Sequence, residues 1–500
     1  MSAETPVSIL PDFSDFSEAY VSGKTQIVWK QLDLAQHTIE SVSRLMKEDH
    51  SPFFLLESSE LGPAKGRYSI IGMDPDLTWQ FDGDSGFIDD EHGNRKTFDK
   101  AQCLDVFRDI VHGSTFDMPS HLPDMASGLI GYMAYDMIRL IEPSLGPSKQ
   151  DTIHIPEGLY MRITSSVVFD LQEKLIYLVK TVRPKPKVSA QEAYDVAKET
   201  LVYLKGLVND SQSVPKKEVN TTSSRELSFQ PNMSKETFLK MIETAKDYIV
   251  EGDIFQVVPS QRFEADFDQD PFLFYLELKQ LNPSPYLFYL QFGDFHLIGS
   301  SPEIMVRVKH NRVTIRPLAG TRKRGQTKEE DEQISKELLS DQKEVSEHLM
   351  LVDLSRNDVG KVCVPGTVRV IEDMIIEYYS HVMHISSTVE GLLESDYDPI
   401  DALFAGLPVG TVSGAPKIRA MQIIDELEPT KRGFYAGCVG YFSANGSMDT
   451  CITLRTALVK DDKIYLQAGC GVVSDSDPLS EYQETLNKAE ALKRSVENCL

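Results

Sequence analysis

The stretch Leu407-Pro-Val-Gly-Thr-Val-Ser-Gly-Ala-Pro-Lys417 brings together Gly410, Gly414, Pro408, Pro416, Thr411 and Ser413. Glycine admits backbone conformations that a Cβ forbids and lets a ligand come close. Proline fixes the way out, and Pro416 suits the first position of a helix. Ile418, Met421, Ile424 and Leu427 then recur at helical spacing. The segment predicts a tight loop feeding a helix, with Thr411 and backbone amides facing whatever binds. A junction of this kind attracts anions, and a purely structural turn has the same composition. The spacing is not that of a nucleotide P-loop.

Outward from this loop, strand and helix signals mix without regular alternation. Short apolar runs at 53–57, 67–73, 128–133, 165–182, 255–263, 296–315 and 464–473 read as strands. Residues 87–95 read as a turn-rich hairpin, and 362–379 alternates like a β segment. Helical periodicity marks 32–46, 191–208, 235–250 and 331–354. A last helix starts at Asp477-Pro478, a cap and first-turn pair, with Leu479, Tyr482, Leu486, Ala489, Leu492 and Val496 on one face. The pattern predicts an α+β protein with large, mostly antiparallel sheets packed with helices. Residues 209–233 are polar and aperiodic and read as a connection between an N-terminal part, 1–208, and a second part, 234–500.

The chain has 500 residues, 41% hydrophobic and 25% charged, enough for a sizeable core. Its formal net charge of −25 argues against nucleic acid and an anionic membrane surface, which need basic patches. A small anionic substrate remains compatible, given a local reversal of sign. The six cysteines form no C-x-x-C pair and suit neither a disulfide framework nor a zinc site. The start of the chain has no basic n-region, and no apolar run reaches the length of a membrane helix. A cytoplasmic protein is expected.

Two Glu-x-x-Glu pairs, Glu344/Glu347 and Glu481/Glu484, lie on predicted helices, where residues three apart share a face. Brought together they would suit Mg²⁺; apart they are solvated acidic faces. Of His381 and His384, at most one faces a given site if both lie on one strand. Arg455, in Ile452-Thr-Leu-Arg-Thr456, reads as a strand arginine needing an anion, either a substrate carboxylate or a structural partner. Gly469-Cys470-Gly471 offers an amide nest or a plain turn, and Gly320-Thr321 offers the same choice.

Together these segments resemble the chorismate-utilising enzymes, most closely the anthranilate synthase large subunits. The resemblance is carried by Pro317-Leu-Ala-Gly-Thr-Arg-Lys-Arg-Gly325, Glu347-His-Leu-Met-Leu-Val-Asp-Leu-Ser-Arg-Asn-Asp358, Ser380-His-Val-Met-His384, Pro408 to Lys417 and Gln467-Ala-Gly-Cys-Gly471, in that order. It extends into the first part through Leu55-Leu-Glu-Ser-Ser-Glu60 and Arg67-Tyr-Ser-Ile-Ile-Gly72. It implies addition of ammonia to chorismate, loss of the 4-hydroxyl, and elimination of pyruvate to give anthranilate. It implies Mg²⁺ held by Glu347 and Glu484, with Glu344 and Glu481 around them. Arg455, Tyr435 and the Gly469, Cys470 and Gly471 amides would hold a carboxylate, and Gly320, Thr321 and Thr411 would complete the pocket. Glu303, in Ser300-Ser-Pro-Glu303, would act as general acid, and His384 would serve proton transfer.

Ala319 stands where aminodeoxychorismate synthases carry a nucleophilic lysine. Gln256 stands where isochorismate and salicylate synthases carry a lysine base. Both favour ammonia as the direct nucleophile. The segments 55–60 and Asn282-Pro-Ser-Pro-Tyr-Leu287 resemble those that bind tryptophan as feedback inhibitor, which points to Ser58, Pro285, Tyr286 and Leu287. No glutaminase motif is present, so a separate glutamine amidotransferase subunit is implied, in an assembly of two large and two small subunits. The alternatives are an aminodeoxychorismate synthase large subunit and a tryptophan-binding regulator that has lost catalysis.

Overall fold

The computed structural model describes residues 8–58, 66–213, 227–379 and 382–499. His381, residues 59–60 of the proposed inhibitor segment and half of the 209–233 connection lie outside the described residues.

Strand Phe53–Glu57 is the seam of the fold. It is apolar throughout except at its end, as suits a strand buried on both faces. On one side it pairs with Tyr68–Asp82, Leu55 opposite Ile71. On the other it pairs with Tyr286–Gln291, Leu55 opposite Tyr289. A second seam is Gly128–Met133, held between Gly158–Asp170 and Cys438–Ser443. Strands from before residue 208 and after residue 234 thus join one hydrogen-bonded network of 21 strands among the described residues. The pairings at both seams are antiparallel, as the sequence predicts.

Alternate side chains of the first seam enter different cores. Phe54, Ile70 and Leu290 pack with Trp79, Phe107 and Tyr132. Phe53, Leu55, Ile71 and Tyr289 meet Leu201 and Leu204 of helix Ala190–Asp210, Phe272 and Tyr275 of Pro271–Leu281, and Leu492 and Val496 of Pro478–Glu497. A third cluster joins helices Lys235–Val250 and Lys417–Leu427 through Phe238, Ile242, Ile423 and Ile424. No helix among the described residues is long and apolar enough to cross a membrane.

Several sequence expectations are corrected. The single helix at 331–354 is two, Lys328–Ser340 and Gln342–Gly360. Asp341 ends the first in an extended conformation and caps the second, accepting from the Lys343 and Glu344 amides at 3.0 and 3.4 Å. The strand at 255–263 is two pieces: Gln256–Val257 pairs with Gly414–Ala415, and Ser260–Asp266 pairs with Lys463–Gly469. In the 32–46 stretch, Leu32 and Asp33 end a strand and the helix starts at Ile39, where Thr38 caps it. The strand signal at 362–379 narrows to Arg369–Tyr378. Pro416 is the cap of helix Lys417–Leu427 rather than its first residue. Leu479 lies 55% exposed, off the buried stripe of the last helix.

The Asp341 cap yields a stability prediction. Asp341→Ala lowers unfolding stability by ~1 kcal/mol, and Asp341→Asn, which keeps the cap, by a few tenths. Denaturant unfolding curves of the three proteins check it.

Candidate active site

Glu303 follows strand Phe295–Ser301 through the two residues that turn the chain toward Ile304–Lys309. Its side chain is buried, and Thr411 Oγ1 donates to its Oε1 at 3.1 Å. Burial pushes its carboxyl up to about 8; the Thr411 hydroxyl, the Leu318 amide and the charge of Arg455 oppose the rise, and Glu377 adds to it. At neutral pH this is a protonated acid held in place by the 407–417 loop. Thr411 sits there in a 3₁₀ turn, Gly410–Val412. At the start of the helix that follows, Lys417 Nζ is buried and donates to Asp358 at 2.6 Å, so its charge is paired within the chain.

His384 lies on strand Val382–Leu392, opposite Thr321 of Leu318–Lys323. The register slips between Ala319 and Thr321, leaving Gly320 as a bulge at φ +63. The bulge aims the Gly320 carbonyl at His384 Nδ1, 3.0 Å away, with Thr321 Oγ1 at 3.1 Å. Glycine is favoured here by its φ, and a Cβ would stand a tight 3.1 Å from Glu344 Oε2. A carbonyl only accepts, so Nδ1 carries the proton and Nε2 keeps its lone pair. Burial, then the charge of Arg455, lowers the imidazole to about 4, so the ring is neutral. Tyr379 meets it edge-on at 5.4 Å.

Arg455 is not on a strand. It occupies the connection between Met448–Ile452 and Thr456–Lys460 at φ +48, a region that costs a side-chain-bearing residue energy and often marks functional sites. Its carbonyl accepts from Ser300 N at 3.1 Å, which ties it to the strand before Glu303. Its Nη1 reaches Asn282 Oδ1 at 3.4 Å, and among the described residues no carboxylate pairs with it. Desolvation lowers its pKa, with the Tyr379 and Glu303 charges opposing. The structure does not supply the anion that this guanidinium needs.

Tyr435 is buried, its hydroxyl 2.8 Å from where a Gly469 Cβ would stand. The Gly469 carbonyl accepts from Lys488 Nζ at 3.0 Å. The Cys470 amide donates to the Pro259 carbonyl, which removes it from any anion nest, and its side chain packs in the third core. A Cβ on Gly471 would lie 2.8 Å from Gln256 Nε2, so Gln256 and Gly471 share one edge of the site.

The two glutamate pairs lie on helices Gln342–Gly360 and Pro478–Glu497, near enough for the Glu481 charge to act on Glu347. Burial raises Glu347, and so do the charges of Glu344 and Glu481; burial and Glu484 raise Glu481. Glu344 pairs with Arg322 at 2.7 Å and Glu484 with Lys488 at 2.7 Å. Among the described residues no three His, Cys, Asp or Glu side chains stand close enough to hold a metal. Glu481 Oε2 is nonetheless buried with no hydrogen-bond partner. An orphaned buried carboxylate oxygen among like charges fits a hard cation.

Ser58, Pro285, Tyr286 and Leu287, the residues expected to bind tryptophan, line one cavity of ≈ 470 Å³. Tyr286 Oη donates to Asp449 Oδ1 and accepts from Arg307 Nη2, both at 2.9 Å. Pro302, Ile304, Leu318, Glu377 and Tyr379 also line it, so the cavity borders Glu303 and His384.

The sequence reading missed Tyr379, Asn282 and Lys488. Asn282 and Tyr379 stand inside or beside the motifs, and Lys488 is four residues after Glu484 on a helix, a pairing that spacing alone could have shown.

Residues 52–494 match the family of chorismate binding enzymes, and the chain belongs to that family. It is 46% identical to anthranilate synthase component 1 of Cereibacter sphaeroides, over 98% of each chain. It is 41% identical to that of Acinetobacter calcoaceticus, again over 98% of each. The crystal structure of anthranilate synthase component I from Streptococcus pneumoniae superposes with a TM-score of 0.74 at 38% identity, covering 86% of this chain and 93% of that one. The menaquinone-specific isochorismate synthase of Escherichia coli shares the fold, with a TM-score of 0.69 at 20% identity over 97% and 98% of the two chains.

Glu303 links this geometry to stability. Below pH 4.5 its carboxyl is protonated whether the chain is folded or not; between there and about 8 only the folded chain keeps the proton. Folding stability therefore falls through that window and levels off above it. Glu303→Gln removes the penalty: the variant is more stable than the parent at pH 8.5, by a few kcal/mol at most, and the gap closes at pH 4.5. Thermal melts across pH measure it.

Proposed function

We propose that this chain is the large subunit of an anthranilate synthase, converting chorismate and ammonia to anthranilate and pyruvate. The observation that carries the proposal is the arrangement of one buried protonated acid, one neutral imidazole and one unpaired guanidinium: Glu303, His384 and Arg455. The whole-chain likeness to anthranilate synthase components supports it.

Arg455, with the Tyr435 hydroxyl and the backbone at Gly469 and Gly471, binds one substrate carboxylate. Gly320 and Thr321 fix the other side of the ring. Glu303 gives its proton to the 4-hydroxyl, which leaves as water as the C4–O bond breaks, while ammonia bonds to C2 and its surplus proton restores the Glu303 carboxyl. His384 Nε2 then takes the C2 proton as the C3–O bond breaks, and passes it to the methylene carbon of the departing enolpyruvate, which leaves as pyruvate; Thr321 and the Gly320 carbonyl keep the imidazole in the required tautomer. Mg²⁺ would be held by Glu347 and Glu484, with Glu344 and Glu481 beside them, and would supply positive charge for the second carboxylate. Ala319 offers no nucleophile, and the Gln256 amide is no base at physiological pH. Ammonia is then the direct nucleophile, delivered by a glutamine amidotransferase subunit in a cytoplasmic assembly of two large and two small subunits.

The cavity at Ser58, Pro285, Tyr286 and Leu287 is assigned to tryptophan as feedback inhibitor. In this reading, residues 1–208 supply part of the inhibitor site and 234–500 the catalytic one, with 209–233 between them.

With chorismate, Mg²⁺ and an ammonium salt, the purified chain is expected to yield the fluorescence of anthranilate, and EDTA abolishes it. Glu303→Gln lowers kcat about 10²–10⁴-fold. Consumption of chorismate to an amino-cyclohexadiene instead identifies an aminodeoxychorismate synthase. Tryptophan inhibits the parent, and Ser58→Phe, which fills the cavity, raises the inhibitory concentration about tenfold or more, a loss of ~1.4 kcal/mol. Inhibition curves that superpose remove the inhibitor assignment.

A further inference from the structure

Arg432 is the second-largest fully buried side chain among the described residues, and no step of the mechanism uses it. Its Nη1 donates to the Val412 carbonyl at 2.7 Å and its Nη2 to the Val258 carbonyl at 2.5 Å. Nε and Nη2 grip Glu428 at 3.1 and 2.7 Å. The guanidinium lies over the rings of Tyr135 and Tyr435, 4.8 and 5.5 Å from their centroids. Glu428 Oε1 also accepts from the Ser260 amide and hydroxyl, both at 2.8 Å, and Gln467 Nε2 donates to that hydroxyl at 2.8 Å. Ser260 is in register with Gly469.

Three of the groups this ion pair holds are parts of the site. Val412 follows Thr411, the donor to Glu303. Tyr435 sits against Gly469, and Ser260 is the strand partner of Gly469. We propose that Arg432 and Glu428 are a positioning pair, fixing Thr411 against Glu303 and Tyr435 against Gly469 without touching substrate. The inference rests on the assignment of that site to chorismate. A planar fork suits the task, because one rigid group meets two carbonyls and a carboxylate at once; a lysine ammonium keeps the charge but not that span.

The test compares the parent with Arg432→Lys and with Glu428→Gln, which loosens the fork while leaving the arginine in place. Anthranilate formation is followed against pH, and melts are followed against pH with and without Glu303→Gln. The charged and titratable groups facing Glu303 are Arg455, Glu377 and Tyr379, and none of them bonds to Arg432 or Glu428. A positioning role lowers kcat about 10–100-fold in the folded variant. It also moves the alkaline limb of the kcat profile upward, because a slack Thr411 no longer favours the charged form of Glu303. The stability difference due to Glu303→Gln shifts upward in pH in the same variant. A lower melting temperature with unchanged kcat and unchanged pH dependence overturns the proposal. If the parent itself makes no anthranilate, the functional reading fails, and the stability titration still decides whether the pair positions Thr411. If the lysine variant does not fold, Glu428→Gln gives the same two readouts.

Discussion

Arg455 is half-buried, with only the Asn282 amide oxygen as a side-chain partner among the described residues. Desolvating a guanidinium is costly unless an anion compensates, and among the described residues no carboxylate pairs with it. The consequences spread through the site. The charge of Arg455 helps keep His384 neutral and restrains the rise of Glu303. The residue is held by backbone rather than by counter-charge: a left-handed turn between two strands, with its carbonyl bonded to Ser300. Because Ser300, Glu303, His384 and Gly320 all belong to strands of the same network or to their ends, the sheet itself sets the spacing of the acid, the base and the cation.

This arrangement explains why the seam strand Phe53–Glu57 matters to a site it does not enter. It pairs with Tyr286–Gln291, which pairs in turn with Phe295–Ser301, the strand that leads to Glu303. The cavity lined by Ser58 and Tyr286 reaches Pro302 and Ile304, the residues on either side of Glu303. Tyr379, which also lines it, meets the His384 ring edge-on. The cavity thus borders the surroundings of both Glu303 and His384.

Much of the fold could be read from local pattern. The 53–57 and 128–133 strands, the 235–250 helix and the cap at Asp477 agree with the structure because pattern and tertiary burial act together there. The break at Asp341 was hidden by an apolar period that continues across it; the Asp at the cap with Glu344 three residues on was the available signal. Arg455 was misplaced because apolar neighbours at Ile452 and Leu454 imitate a strand, and nothing local shows a residue forced to positive φ. Of the candidate site, the motifs point to Glu303, His384, Thr411 and the glutamate pairs, and the structure brings Thr411 onto Glu303. Contacts such as Asn282 to Arg455 or Arg432 to Val412 join distant stretches, and only the folded register creates them.

In the proposed function, Arg455, unpaired among the described residues, meets a substrate carboxylate. The most direct measurement is calorimetric binding of chorismate, with Mg²⁺ present and Glu303→Gln as a background that prevents turnover, before and after Arg455→Gln. Affinity is expected to fall about 100-fold, within the ~2–5 kcal/mol typical of losing one partner of a buried charge pair. Unchanged affinity would contradict the claim and leave Arg455 as a structural residue.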